Sequence, residues 1–200
     1  AMKRGILIEA VHFHSPPYTS ERSKEKVLEL AEILAGYAGQ EIPVHVVPFT
    51  EVQEAIRRQA PAAMGITLMR RMMLRIAEAL AVQREIPALV TGESVGQVAS
   101  QTLESLRAIN AVTNMPVLRP LIAMDKSEIV ALAHRIGTYE TSVQPFEDCC
   151  TLFVPDHPET RPRLERVEAA EVGLATGELV ADALRRTELI VCGERALSVP

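Results

Sequence analysis

The stretch ALVTGESVGQ, at positions 88–97, decides the fold because it joins a short apolar run to a loop bracketed by two glycines. Ala88-Leu89-Val90 predicts a buried strand, and the pattern from Gln97 to Ile109 predicts a helix. A strand that leads through a glycine-containing loop into a helix lets backbone amides approach an anion or a nucleobase. The loop matches neither common glycine-rich nucleotide motif, so alone it is a weak indication of a ligand.

The same alternation of strand and helix extends in both directions from this stretch. Further strands are predicted at 6–14, 44–47 and 117–118, and further helices at about 20–34, 50–60, 66–83 and 125–136. Residues 50–53 and 125–128 each have the spacing of a capping box at a helix start. Short apolar strands separated by helices predict an α/β fold with a doubly wound parallel sheet. Such sheets bind ligands beyond the carboxyl ends of their strands, where we expect the functional residues.

The two ends of the chain carry weaker patterns. Residues 1–5, AMKRG, have the composition of a last helical turn, with basic residues followed by glycine. This indicates either a strand–helix unit upstream of this chain or a short frayed N-terminus. Several prolines between 155 and 162 are followed by a charged helical pattern and an apolar run at 189–191. We expect residues 1–162 to form the domain and residues 163–200 to be a helical tail of it.

The composition excludes several classes of protein. The chain has 200 residues, 48% hydrophobic and 24% charged, with a formal net charge of −5. It is therefore neither disordered nor fibrous, and no apolar run approaches the roughly 18 residues of a membrane helix. Negative charge and seven aromatic residues without Trp argue against unaided, sequence-independent binding of nucleic acid. Three cysteines do not make a secreted disulfide framework, so we expect a cytoplasmic protein.

Two regions at predicted strand ends hold candidate functional residues. His12 and His14 share one face of the first strand, which indicates either strand-end packing or ligand contact, or a metal-binding pair. In the helix from 66, Arg70 heads an otherwise apolar row, whereas Arg71 heads a polar one. An arginine at the end of a buried row either extends to solvent or reaches an anionic ligand. Ser94 and the polar residues up to Thr102 suggest that part of the next helix faces a cleft.

The adjacent cysteines Cys149 and Cys150 follow Asp148 and precede a proline-rich loop. Neighbouring cysteines are poorly placed to ligate one metal, and no C-x-x-C is present, so a zinc site is not expected. Buried inert thiols are the common explanation, and a reactive thiol in a loop is the alternative. Cys192 lies in the terminal apolar run, where we expect a structural role.

Four segments together resemble the tRNA 4-thiouridine synthetase family, also called tRNA sulfurtransferase or thiamine biosynthesis protein. They are HFHSPPYTSER at 12–22, MRRMM at 69–73, TGESVGQVASQT at 91–102 and EDCC at 147–150. Arg119-Pro120-Leu121 followed by Asp125-Lys126 resembles the wider class of pyrophosphatase-loop ATPases. The resemblance runs from the first residue to about Pro162.

The resemblance implies a fold and a set of site residues. The fold is a Rossmann-like sheet of the adenine nucleotide alpha-hydrolase type, without its first strand–helix unit. The family's phosphate-binding loop, Ser-Gly-Gly-x-Asp-Ser, belongs to that unit and does not occur in this chain. By position, the implied nucleotide contacts are His12, Phe13, Arg70, Gly92 and Gln101, with Arg70 at the charged part of ATP and Gly92 and Gln101 near the adenosine. The implied catalytic residues are Cys149 and Cys150, with Cys149 favoured as the one that engages a persulfide; no metal ligand is implied.

The implied reaction is adenylation of a tRNA uridine oxygen by ATP, with release of pyrophosphate, followed by persulfide attack to give 4-thiouridine. ATP and Mg²⁺ are the implied cofactors, and sulfur donation for thiamine synthesis is a second role. The implied partners are tRNA, a cysteine desulfurase as sulfur donor, a thiamine-pathway sulfur-carrier protein and a second copy in a homodimer, with no membrane. The family's N-terminal RNA-binding portion is also absent, so we expect this chain to be a fragment of the catalytic domain that does not complete the reaction alone.

Two other functions fit the same residues. The first is a pyrophosphatase-loop enzyme that amidates or ligates a small acid instead of thiolating RNA. The second is a non-catalytic module that binds an adenine nucleotide and has no turnover.

Overall fold

The computed structural model describes residues 1–146 and 158–193 and shows helices packed around short strands. The helices are α1 (Glu21–Ala38), α2 (Thr50–Gln59), α3 (Gly65–Gln83), α4 (Leu103–Asn110), α5 (Lys126–Arg135), α6 (Tyr139–Ser142), α7 (Leu164–Glu171) and α8 (Thr176–Arg185). The strands are β1 (Ala10–His14), β2 (Ile42–Pro48), β3 (Leu89–Val90), β4 (Val117–Leu118) and β5 (Glu188–Cys192). Within this part of the chain, no helix is long and apolar enough to cross a membrane.

The strands form two sheets, each built on a parallel pair. β1 pairs with β2, with Ala10 opposite Val44, and β3 pairs with β4, with Leu89 opposite Val117. Helix α1 connects the first pair and α4 the second, as expected of strand–helix–strand units in an α/β fold. Both parallel pairs confirm the predicted α/β class.

The terminal apolar run is an integral strand of the fold. β5 pairs antiparallel with β2, so that β2 becomes the middle strand of the order β1-β2-β5. The sequence predicted only a short apolar run on the tail here, because local pattern does not tell which distant strand a run joins. Gly193 closes the strand at a φ of 91°, where a Cβ would lie 2.5 Å from the Ala35 side chain. Glycine is therefore required at that position.

The larger hydrophobic core lies between the three-stranded sheet and helices α2, α3, α7 and α8. Its fully buried members include Val47, Phe49, Leu68, Met72 and Ile76. Met69 and Met72 of α3 belong to this core, and Met73 packs against it, which is the packing expected of methionines at helical spacing. A smaller core, with Ala35 and Cys192, lies under α1 and confirms that Cys192 is buried.

One of the two predicted capping boxes is present, the other is absent, and the start of α4 differs from the prediction. At α2 the Thr50 hydroxyl donates to the Pro16 carbonyl at 2.8 Å, so no capping box forms there. At α5 the capping box is present, and the Glu128 carboxylate accepts from the Asp125 N–H at 2.7 Å. Helix α4 begins at Leu103, not near Gln97, because Thr102 is its N-cap and accepts from the Ser105 N–H at 3.1 Å.

A buried ion-pair cluster attaches α7 to α3. Glu171 accepts from Arg71 at 2.9 and 2.8 Å and from Arg75 at 2.6 and 2.9 Å, and we call these three residues the Glu171 cluster. Arg71 also donates to the Ala108 carbonyl on α4 at 2.5 Å and is only 2% exposed. The sequence placed Arg71 at the head of a polar row, and in the structure Glu171 of α7 pairs with Arg71 and Arg75 of that row.

Candidate active site

The candidate site is centred on Glu93, which follows β3 at its carboxyl end. The glutamate is 3% exposed, and its oxygens accept from Arg70, from the Thr91 hydroxyl at 2.7 Å and from Arg119 Nε at 2.6 Å. We call Arg70, Glu93 and Arg119 the Glu93 cluster. Two arginines around one carboxylate leave a net positive charge at the edge of the sheet where ligands of α/β folds bind.

Each arginine of the Glu93 cluster is fixed by a second element. Arg70, on α3, donates through Nη1 to the carbonyl and hydroxyl of Ser100 at 3.1 and 3.3 Å. Arg119 follows β4 and donates to the Asn110 amide oxygen on α4 at 3.0 Å. Both arginine side chains are 17% exposed, so each keeps access to solvent or to a ligand. The sequence left two alternatives for the Arg70 side chain, extension to solvent or contact with an anionic ligand. The structure adds Glu93 as its partner within the protein.

The charges of the cluster keep Glu93 ionised. Burial by itself raises the pKa of this carboxyl, but the charge of Arg70, the Thr91 hydroxyl bond and Arg119 outweigh it, so the pKa lies below its ordinary value. A carboxylate that stays ionised at neutral pH holds both guanidinium groups in place. The cluster is thus preorganised to attract an anion such as a polyphosphate.

The loop after Glu93 brings Gln101 to the same region. Gly96, at a φ of 79°, donates to the Gln101 carbonyl at 2.9 Å, and the chain between them ends in a short 3-10 helix at Ala99–Gln101. The predicted polar half of the helix is therefore a loop with one 3-10 turn, and α4 begins only after it. Gln101 Oε1 is buried and accepts no hydrogen bond from the described residues. Buried amide oxygens almost always have a donor, so this atom is suited to receive one from a ligand.

Gly92 is not required by the surrounding protein. Its backbone does not lie in the left-handed region, and an added Cβ would meet only Leu121 Cδ1, at 4.0 Å. A glycine that neither backbone nor packing requires is typical of a position where a ligand approaches the chain closely.

His12 and Phe13 lie at the end of β1, in the other sheet. The rings of His12 and His14 stack with centroids 5.9 Å apart, and Phe13 meets Phe49 edge-to-face at 5.1 Å. Phe13 packs against the larger core, to which Met69 of α3 also belongs. At the last residue of β1, the His14 carbonyl accepts a hydrogen bond from the Phe49 N–H at 2.8 Å.

The structure therefore brings together three of the five predicted nucleotide contacts. Bonds from Arg70 to Glu93 and Ser100 place Arg70 beside Gly92 and Gln101, which are the sequence neighbours of those two residues. Phe13 packs against the larger core, and His12 stacks on His14 at the end of β1. Sequence reasoning missed Glu93 as the centre of the site; its signal was a lone charged residue in a loop of small residues directly after a strand.

Two further predictions concern the adjacent cysteines and metal binding. Cys149 and Cys150 lie outside the described residues. Within the described ranges 1–146 and 158–193, no group of three or more His, Cys, Asp or Glu side chains could hold a metal ion.

Comparison with known proteins gives one consistent result. A family model described as "Thiamine biosynthesis protein (ThiI)" matches residues 1–175. A protein of Moorella thermoacetica named "Probable tRNA sulfurtransferase" is 59% identical over 189 residues, covering 94% of this chain and 48% of the relative. A protein of Bacillus pumilus with the same name is 58% identical, covering 96% and 47% respectively. The chain thus spans about half the length of the curated relatives it matches.

A solved structure shares the fold over almost the whole chain. It is described as "Crystal structure of a 4-thiouridine synthetase - RNA complex with bound ATP". The TM-score is 0.90 at 41% sequence identity, and the match covers 95% of this chain and 50% of that one.

Proposed function

Because this chain belongs to the thiamine biosynthesis protein (ThiI) family, we propose that it supplies the nucleotide-binding part of a tRNA sulfurtransferase that makes 4-thiouridine. One observation carries the proposal most directly. Arg70, Gly92 and Gln101 meet at the carboxyl end of β3, in a fold that matches a 4-thiouridine synthetase with bound ATP. Family membership alone would not single out this edge of the sheet; the juxtaposition of these residues supports it.

ATP is the substrate that these side chains suit. Arg70 and Arg119 offer positive charge to its phosphates, with Glu93 holding both arginines. Gln101 Oε1, which has no donor among the described residues, would accept a hydrogen bond from the exocyclic amine of adenine. Gly92 lets the nucleotide approach the backbone, and His12 and Phe13 would contact it from β1.

Arginine charge at this position favours the first chemical step. The uridine O4 attacks the α-phosphorus, a new P–O bond forms, the bond to pyrophosphate breaks, and the N3 proton of the base is released to solvent. Negative charge gathers on the leaving pyrophosphate, where preorganised guanidinium groups stabilise it. Adenylation turns the O4 oxygen, a poor leaving group, into part of AMP, a good one.

Mg²⁺ accompanies ATP in solution, but the described side chains do not form a dedicated site for it. Magnesium bound with ATP is held mainly by phosphates and water, with one or two carboxylates. We assign no step to the ion.

The second step transfers sulfur to the activated base. A persulfide sulfur carried on Cys149 or Cys150 attacks C4, the C–S bond forms, and AMP leaves with the former O4 oxygen. A second thiol then attacks the cysteine sulfur of the remaining S–S bond, forms a new disulfide with it and releases 4-thiouridine. A persulfide ionises more readily than an ordinary thiol, which suits it to this attack. A cysteine desulfurase would supply the persulfide, and a thiamine-pathway carrier protein would receive sulfur in the family's second role.

Analysis of cellular tRNA tests the proposed function. Deleting the gene that encodes this chain should abolish 4-thiouridine in tRNA, measured by mass spectrometry of nucleosides, and restoring the complete gene should return it. The protein expressed from the complete gene should release pyrophosphate from ATP only when tRNA is added. Pyrophosphate release that depends on a small acid in place of tRNA would support an amidating or ligating enzyme, and no release under any condition would support a non-catalytic module.

Replacing both Cys149 and Cys150 with Ser tests the sulfur step separately. In the protein from the complete gene, we expect thiolation to fall by at least about 100-fold while tRNA-dependent pyrophosphate release persists, because the hydroxyls cannot carry a persulfide. Cys192→Ala is the matched control, since this cysteine is buried in β5. Full thiolation in the double variant would remove both cysteines from the mechanism.

A further inference from the structure

A cleft of about 430 Å³ lies between α4 and the start of α7, and none of its lining residues belongs to the Glu93 cluster. Arg107 of α4 lines one side, and Arg161 and Arg163 line the other, together with Glu104 and Glu165. The remaining lining residues are Ala108, Pro162 and Leu164. Three arginines against two glutamates give the cleft a net positive charge in a chain whose net charge is −5.

The three arginines differ from most others in having no internal partner. Among the described residues, the guanidinium groups of Arg107, Arg161 and Arg163 form neither an ion pair nor a hydrogen bond, and all three side chains are exposed. By contrast, the arginines at positions 58, 70, 71, 75, 84, 119, 185 and 186 each pair with a carboxylate. Exposed arginines that converge on a cleft without internal acceptors are available to phosphate groups, which guanidinium forks bind well.

One side chain connects this cleft to the candidate active site. Thr102 follows Gln101, caps α4 and donates to the Thr160 carbonyl at 2.7 Å, one residue before Arg161. The loop that carries Ser100 and Gln101 is thereby joined to the segment that carries Arg161 and Arg163. A polymer whose reactive base lies near Gln101 could continue along this cleft.

We propose that Arg107, Arg161 and Arg163 bind backbone phosphates of the RNA whose base reacts at the Glu93 cluster, a proposal that rests on the function proposed above. The chain as a whole repels a polyanion, so a local positive cleft beside the reaction site provides the attraction that overall charge does not. Phosphate contacts position the RNA and carry no sequence information, so this cleft sets affinity and register and leaves base choice to the active site.

The test is tRNA binding by the protein expressed from the complete gene, measured by fluorescence anisotropy at several salt concentrations. In the triple variant Arg107→Gln, Arg161→Gln and Arg163→Gln, we expect affinity to fall about tenfold or more at 0.1 M salt. The slope of log affinity against log salt is negative and should become less steep by about 2 to 3, since each lost phosphate contact removes 0.7 to 0.9 from its magnitude. ATP affinity should stay unchanged.

Two further proteins make the result specific. The triple lysine variant at the same positions keeps the charges and should keep most of the affinity and slope. Arg135→Gln removes an exposed arginine on α5 that pairs with no described residue, and this variant should bind as the wild type does. If the triple glutamine variant melts at a lower temperature than the wild type, the single variant Arg107→Gln is used in its place. Its salt dependence should become less steep by about 1.

The outcomes separate this proposal from the proposed function. Wild-type affinity and slope in the glutamine variant, as expected if an acidic protein occupies the cleft, would overturn the phosphate contacts while leaving thiolation intact. Equal losses in the lysine and glutamine variants would also overturn them, because charge would then not be the cause. A wild-type protein that neither binds nor thiolates tRNA would instead disprove the proposed function itself.

Discussion

Arg70 and Arg71 are neighbours on α3, yet they belong to two clusters with the same composition and different surroundings. Each cluster sets two arginines against one buried glutamate: Glu93 in one and Glu171 in the other. Burial, the largest effect, raises the pKa of both carboxyls, and in both the arginine partners outweigh it and leave the pKa lowered. In their charges and in the direction of the carboxyl pKa shift, the two clusters are alike.

Their difference lies in which donors are already used. All three nitrogens of the Arg71 guanidinium are bonded, two to Glu171 and one to Ala108, and its side chain is only 3% exposed. Arg70 is 17% exposed, and its Nε bonds to no described residue. A saturated, enclosed arginine joins helices, whereas one with spare capacity at the edge of the sheet can bind a ligand. The comparison teaches that topology, not the ion-pair motif, separates structure from function.

Breaking the Glu171 cluster should give the largest effect on stability. We expect Glu171→Gln to lower the free energy of unfolding by about 3 to 5 kcal/mol, because Arg71 would stay buried without its counter-charge. Urea denaturation of the protein expressed from the complete gene measures this. The double variant with Arg71→Met should recover part of the loss, since no buried charge then remains unpaired. A loss below 1 kcal/mol would show that the cluster does not hold α7 to α3.

Breaking the Glu93 cluster at Arg70 should mainly affect catalysis. We expect Arg70→Ala to reduce tRNA-dependent pyrophosphate release by about 100-fold, equivalent to about 2.7 kcal/mol, because one preorganised cation is lost at the phosphates. Its unfolding free energy should change less than that of Glu171→Gln. Arg75→Ala is the matched control, since it removes an arginine of the same helix from the Glu171 cluster. Unchanged kinetics in Arg70→Ala would remove Arg70 from the mechanism.

The sequence predicted the parts of this comparison that depend on local pattern. The α/β class, the strand before Gly92 and helix α3 follow from periodicity and from short apolar runs. The place of Arg70 at the head of an apolar row singled it out but left solvent and an anionic ligand as alternatives. These features concern residues within one or two helical turns of each other, where spacing fixes which side chains share a face.

The rest depends on contacts between distant residues. Arg71 is buried because Glu171, 100 residues away in the chain, lies on a helix that covers it. Glu93 becomes the centre of the site because Arg119 and Arg70 converge on it from two other elements. The start of α4 was misplaced because Thr102 caps it, while the preceding polar residues form turns around Gly96. Local spacing carries no information about such tertiary partners.

The pH dependence of stability at Glu93 should give the smallest effect of the three predictions. The pKa of Glu93 is lowered in the folded protein, so its stabilisation is complete above the unfolded value of about 4.3 and is lost as pH falls through the lowered folded value. Glu93→Gln should cost about 1 to 3 kcal/mol at pH 7, less than Glu171→Gln because its arginine partners keep contact with solvent. The difference between wild type and variant should shrink as pH falls from 6 toward 3, measured by urea unfolding at each pH. Glu140→Gln, at an exposed position, controls for loss of a surface carboxylate. A difference that stays constant over this range would mean that ionisation of Glu93 does not hold the two arginines, and that the geometry of the site comes from Ser100 and Asn110 alone.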